Sequence, residues 1–135
     1  MTGRRDHTIV VVAAVIEHAG TFLVTRRQQG VHLEGMWEFP GGKVDPNETH
    51  EQALRREMRE ELEVDVVVGE LVLHTSHQYP ERTIELYFHR CALMGRPRPL
   101  LGQEMRWVAR EELAALGFPP ADEELIRLLT TSDVR

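Results

Sequence analysis

Residues Gly42 to Val64, GKVDPNETHEQALRREMREELEV, decide how this chain is read. Thr49 and Gln52 have the spacing of a capping box, in which each side chain satisfies a main-chain N–H of the other. Good helix formers follow with neither proline nor glycine, so a helix is predicted over Thr49–Leu62. On a wheel of about 100° per residue, Leu54, Met58 and Leu62 form one apolar stripe that must face a core. Glu57, Glu60 and Glu61 fall in a wedge roughly 100° wide beside it. On this helix only Ala53 and His50 share that wedge, and Arg55, Arg56 and Arg59 lie mostly on the other side. Carboxylates at i, i+3 and i+4 repel one another, at a cost to the helix. A hard divalent cation, which prefers oxygen ligands, would offset that repulsion. A solvated acidic face is the other reading of the same three residues. Just before the helix, Phe39-Pro40-Gly41-Gly42 reads as a tight backbone feature. Its glycines suit either an ordinary turn or close approach of the main chain to a metal or phosphate.

Outward from this helix, strands and helices interleave. Thr8–Glu17 and Thr21–Arg27 are β-branched and apolar, joined by a turn at His18-Ala19-Gly20, and read as strands. Gln28–Glu38 reads as a loop. Further strands are expected at Val64–Val68, Leu71–Thr75, Arg82–Ala92 and Met105–Ala109, with the turn Tyr79-Pro80-Glu81 before the third of these. In that third strand Ile84, Leu86 and Phe88 alternate with Glu85, Tyr87 and His89. A short helix at Glu111–Leu116 and a last one at Ala121–Thr130 complete the chain. The expected class is α/β, with a mixed sheet between helices.

The 135 residues suit a single domain over 1–135. One cysteine, Cys91, permits no intrachain disulfide and suits a reducing compartment such as the cytoplasm. Two arginines precede an apolar stretch near the N-terminus, but its β-branched character and the lack of a small-residue cleavage pattern argue against a signal peptide. That stretch also falls far short of a membrane span. A net charge of −6 argues against a nucleic acid polymer as partner. It does not exclude a nucleotide, if metal ions bridge the two sets of negative charge.

Gly42, Glu48, Arg56-Glu57-Met58, Glu60-Glu61 and Val64 resemble the Nudix box, at that family's spacing from first residue to last. Trp37-Glu38-Phe39-Pro40-Gly41-Gly42-Lys43, Trp107-Val108 and Phe118-Pro119-Pro120-Ala121 resemble its MutT branch, which includes 8-oxo-dGTP diphosphatases and CTP pyrophosphohydrolases. The resemblance implies a Nudix-type α/β/α sandwich and a nucleoside triphosphate pyrophosphohydrolase, acting as a monomer or homodimer. Alternatives within it are a dinucleoside polyphosphate or nucleoside diphosphate-sugar hydrolase, and a catalytically silent nucleotide-binding domain.

The same resemblance assigns residues. Glu57, Glu60, Glu61 and the carbonyl of Gly41 would hold Mg²⁺ or Mn²⁺. Arg56 would orient a metal-binding glutamate, and Glu48 would support the loop–helix geometry. Gly42, Lys43, Arg27 and Arg82 would lie along the substrate, and Phe39 and Tyr79 in the base pocket. A glutamate expected near Leu101 is absent, which leaves Glu104 as the nearest candidate for a ligand or general base.

Two positions depart from the pattern or refine it. Glu63 replaces a glycine that ends the helix in a left-handed conformation, so an altered helix end is expected, with Glu63 paired to Arg59. Asp122 replaces an asparagine that reads the base. An ionised carboxylate only accepts hydrogen bonds, so it favours an amino donor such as cytosine N4. His32, His50, His74, His77 and His89 show no metal-ligand spacing, and Trp37 and Trp107 are expected to pack.

Overall fold

The computed structural model describes residues 7–31 and 33–131, so residues 1–6, His32 and residues 132–135 lie outside it. Strand β1, His7–Val15, is the centre of the molecule. Its run of valines and alanines is apolar on both faces, as befits a strand covered on both sides. Val12, Ala14 and Ile16 enter one core with Leu54, Met58 and Leu62 of helix α1, His50–Leu62. Ala13 and Val15 enter the other core, with Leu125, Ile126 and Leu129 of helix α2, Glu123–Thr131. The expected arrangement, a mixed sheet between helices, is therefore present.

The chain changes sheets at Ile16. β1 pairs with β5 (Gly41–Lys43) and, in parallel, with β7 (Arg82–Leu93), while β7 pairs with β6 (Val66–Tyr79). β2 (Glu17–His18) instead joins β3 (Thr21–Arg26) in a second sheet with β4 (Trp37–Glu38) and β8 (Met105–Ala109). The single strand expected over Thr8–Glu17 is thus two strands. His18 belongs to a strand, and the turn is Ala19-Gly20 alone, with φ of 51° and 80°. Two positive φ values are what a two-residue hairpin of matching twist requires.

Other differences are local. The Gln28–Glu38 loop ends in β4, and β6 runs continuously through both expected strands, with irregular pairing between Val68 and Leu73. The helix near 111 is a 3₁₀ turn, Arg110–Ala115. The last helix is preceded by another 3₁₀ turn, Pro120–Asp122.

Helix α1 begins with the capping box read from the sequence: Thr49 Oγ1 accepts from the Gln52 N–H at 3.0 Å, and the side-chain Oε1 of Gln52 accepts from the Thr49 N–H at 2.9 Å. Its other end differs from expectation. Glu63 adopts the left-handed conformation itself, φ 51° and ψ 45°, so the helix closes as it would with glycine. Glu63 lies 3.3 Å from Arg98, and Arg59 turns to Asp65 at 2.5 Å, so no Glu63–Arg59 pair forms. Replacing Glu63 by glycine should stabilise the fold by about 1 kcal/mol, the cost of a Cβ in this conformation. A denaturant midpoint that does not rise would remove strain at this helix end as an explanation.

No helix among the described residues is long and apolar enough to cross a membrane.

Candidate active site

Gly41 and Gly42 do not form a tight turn. They lie in the extended strand β5, opposite Ala13 and Val12, and neither has positive φ. What they permit is proximity. A Cβ on Gly41 would collide with the main chain at Val12 O and Ala13 Cα, and one on Gly42 would collide with the Glu57 carboxylate. The absent side chain at Gly42 thus brings an edge strand directly against the helix's acidic face.

Arg56 fixes that contact. Its Nε and Nη2 donate to the two oxygens of Glu48 at 2.7 and 2.9 Å, the fork geometry of a guanidinium on a carboxylate. Nη2 also donates to Lys43 O at 2.9 Å, and Nη1 to Glu57 at 3.1 Å and Glu60 at 3.4 Å. One side chain therefore binds β5, the loop after it and two glutamates of the helix. The Arg56 hydrogen bonds, with the Asp45 N–H, lower the Glu48 carboxyl to about 2, and the Glu48 carboxylate first, then Glu57 and the charge of Asp45, raise Arg56 above its ordinary value. The clamp stays fully charged across the neutral range.

The glutamates differ in setting. The Glu57 side chain is 15% exposed and Glu60 is 59% exposed. Glu61 is half-buried, and its carboxyl is pushed up to about 9. Burial is the main cause, followed by a hydrogen bond to Glu57 and the charges of Glu57, Glu38 and Glu60. Burial and clustered negative charge together oppose ionisation. Among the described residues no three or more His, Cys, Asp or Glu side chains are grouped, as they stand, so that they could hold a metal ion.

A cleft of about 1130 Å³ opens on the face of the sheet opposite α1, floored by β1 and β7. Arg27, Phe39, Gly42, Lys43, Tyr79, Arg82 and Asp122, which the sequence marked separately, all line it, as does Gly41. Phe39 is also core: it is 4% exposed, stacked on Phe118 at 5.4 Å and set edge-on to Phe88 at 6.1 Å. Asp122 is 6% exposed, and its carboxyl is pushed up to about 7, by burial first and then by the charge of Glu38.

Glu38 also lines the cleft, although the sequence did not single it out as a site residue. It is half-buried, lies 2.8 Å from Arg27, and has its carboxyl raised, chiefly by burial. Its charge reaches both Glu61 and Asp122, so it stands between the acidic helix and the far wall of the cleft. The signal was present in the polar residue alternating between Trp37 and Phe39, but the strand that orients it was read as loop.

The structure does not bring Glu104 to the cleft. Its carboxylate lies 3.3 Å from Arg26, and the pair is half exposed. His50, His74 and His89 gather on the α1 side of the sheet: His74 stacks on Tyr87 and pairs with Glu85 at 2.6 Å, and ring nitrogens of His50 and His89 lie 3.2 Å apart; His77 instead sets its ring 4.8 Å from that of Tyr79, which lines the cleft. Trp37 is buried beneath the guanidiniums of Arg26 and Arg106, as expected of a packing residue. Trp107 is not: it is 37% exposed, with its ring against His18.

The model of the NUDIX domain matches residues 11–128. The chain is 39% identical over 127 residues to the 8-oxo-dGTP diphosphatase of Haemophilus influenzae, covering 92% of this chain and 93% of that one. It is also 39% identical over 119 residues to the CTP pyrophosphohydrolase of Escherichia coli, covering 87% and 88%. Among solved structures, the fold matches a MutT protein of Staphylococcus aureus, family Nudix hydrolase, with TM-score 0.77 and 35% identity over 96% of this chain and all of the other. It also matches the MutT protein of Methanosarcina mazei, with TM-score 0.83 over 94% and 96%, at 23% identity.

Proposed function

Because the chain belongs to the NUDIX domain family and is a hydrolase of phosphoric anhydride bonds, we propose that it converts a nucleoside triphosphate to the monophosphate and pyrophosphate, with water attacking phosphorus. The observation that carries this reading is the junction at Gly42, where a roomy cleft bearing Arg27, Lys43 and Arg82 meets the carboxylate of Glu57. The arginines and lysine supply positive charge along a polyphosphate, and the cleft is large enough for the nucleoside.

The acidic helix suits a divalent ion. Glu61 holds a proton up to about pH 9 because it is buried among other carboxylates. A doubly charged cation among such carboxylates would take the place of that proton. Glu57, Glu60 and Glu61, with the carbonyl of Gly41, would hold Mg²⁺ or Mn²⁺. When bound, such an ion supplies charge for the phosphate oxygens and makes water more acidic. Arg56 keeps Glu57 aimed at β5, and Glu48 keeps Arg56 in place. Glu104, tied to Arg26, has no part in this reading.

The two relatives at equal identity differ in base, so identity does not choose between them. Asp122 favours cytosine. Ionised, it accepts from an amino group; protonated, it can donate as an asparagine amide does. With its carboxyl near 7, the ionised fraction rises about tenfold between pH 6 and pH 8. The ratio of kcat/KM for CTP to that for 8-oxo-dGTP should therefore rise several-fold over that interval. In Asp122→Asn the ratio should be flat and shifted toward 8-oxo-dGTP. Carboxylates of the helix act on both substrates alike and cancel in the ratio.

Pyrophosphate release from CTP, dCTP, 5-methyl-dCTP and 8-oxo-dGTP with Mg²⁺ tests the whole reading. Binding without turnover across that set would point instead to a silent nucleotide-binding domain.

A further inference from the structure

A helix leaves its last carbonyls without partners within the helix. The 96–103 segment supplies partners at the end of α1: Arg98 N–H donates to Leu62 O at 2.7 Å, and Leu100 N–H to Glu61 O at 2.9 Å. A second donor reaches the same Glu61 carbonyl. It is the side-chain amide of Gln103, whose Nε2 lies 3.2 Å away. At its other end Gln103 Oε1 accepts from the Leu101 N–H at 2.9 Å.

Gln103 is 9% exposed and joins Thr25 and Asp122 as the buried polar side chains among the described residues. A buried amide engaged at both ends has one orientation, since a flip would set donor against donor and acceptor against acceptor. The linkage continues outward. Gln28 Nε2 donates to Leu101 O at 2.6 Å, and Gln28 follows Arg27, which lines the cleft. A series of amides thus runs from the cleft wall to the main chain of Glu61.

We propose that Gln103 is a positioning residue, fixing the main chain of Glu61 and through it the carboxylate that faces Glu57. The inference rests on the hydrolase reading above. Both lone pairs of the Glu61 carbonyl are taken by the 96–103 segment, so the segment sets where the helix's last turn stands. Glu61 is half-buried and cannot easily change rotamer to compensate for a shift of its main chain.

Gln103→Met keeps nearly the same volume and removes both hydrogen bonds. The expected result is a kcat lower by roughly 10- to 100-fold, the usual cost of losing a partner that orients a ligand. KM for the nucleotide should stay within about twofold, because the cleft residues are untouched. Mn²⁺ titrated into the nucleotide-free protein and followed by EPR should show half-saturation raised roughly tenfold. Gln28→Ala, at an exposed position where folding is not at stake, should move kcat and Mn²⁺ half-saturation the same way by about two- to threefold.

Wild-type kcat and Mn²⁺ affinity in both variants would overturn the proposal, whatever happened to their melting temperatures. If Gln103→Met does not fold, unchanged values in Gln28→Ala overturn it. The hydrolase reading fails separately, when the wild-type chain turns over no nucleotide. In that case the Mn²⁺ titrations alone decide the role of Gln103, and a wild-type chain that binds no Mn²⁺ overturns it.

Discussion

Glu57→Gln should lower kcat for nucleotide hydrolysis by roughly a thousandfold, the scale on which a preorganised charge-stabilising group acts. The fold should survive intact. Glutamine has the same shape, retains an oxygen for Arg56, and relieves the repulsion that Glu57 exerts on Glu61. The pH dependence of the metal-free protein should change with it. Glu61 has a folded-state value raised from 4.5 to about 9, so its stabilising contribution is complete below pH 4.5 and is lost as pH rises toward 9. Removing the neighbouring charge lowers that folded-state value, so the fall in melting temperature between pH 5 and 9 should be shallower in the variant. Mg²⁺ should raise the melting temperature of the wild type at pH 8 more than that of Glu57→Gln. A variant with wild-type turnover would remove Glu57 from the chemistry.

The adjacent glycines should separate stability from activity. In Gly41→Ala the new methyl meets main-chain atoms of β1, which cannot rotate away, so the β1–β5 pairing must open. Overpacking of this kind costs about 3 kcal/mol, a fall of roughly 10 °C in melting temperature. In Gly42→Ala the methyl meets only the end of the Glu57 side chain, which can move, though Arg56 holds it. That protein should melt within a few degrees of the wild type and lose about a hundredfold in kcat, as misplacement by an ångström does. Equal melting temperatures for the two variants would refute the distinction drawn between the two glycines.

Sequence periodicity made the acidic helix readable because its signals are local. The capping box, the apolar stripe and the carboxylate wedge all lie within a few turns, and β8 has the bounds expected, Met105–Ala109. What was not readable depends on distant partners. Trp37-Glu38 becomes a strand only because Thr25 and Arg26 lie beside it, and that pairing turns Glu38 into the cleft. Gly41-Gly42 suits a turn or a close approach to a metal or phosphate; the neighbouring strand and the Glu57 carboxylate that exclude a side chain here leave no mark in the local sequence. Gln103 gave no signal at all, since its burial is created by the end of a helix more than thirty residues earlier. The substitution at Glu63 is visible in the sequence, but its outcome is not: the helix end keeps its left-handed geometry and the side chain pairs with Arg98, which lies 35 residues later in the chain.

The two-faced burial of β1 bears on how the chain is made. Its parallel partner β7 lies about 75 residues later, and the helix that covers its second face is later still. At ordinary rates of translation an uncharged, β-branched segment waits several seconds for its neighbours. Segments of that composition readily stack with copies of themselves. Nascent chains that stall before residue 82 should therefore be insoluble, and demand for a chaperone should concentrate on the N-terminal strand rather than on the acidic helix.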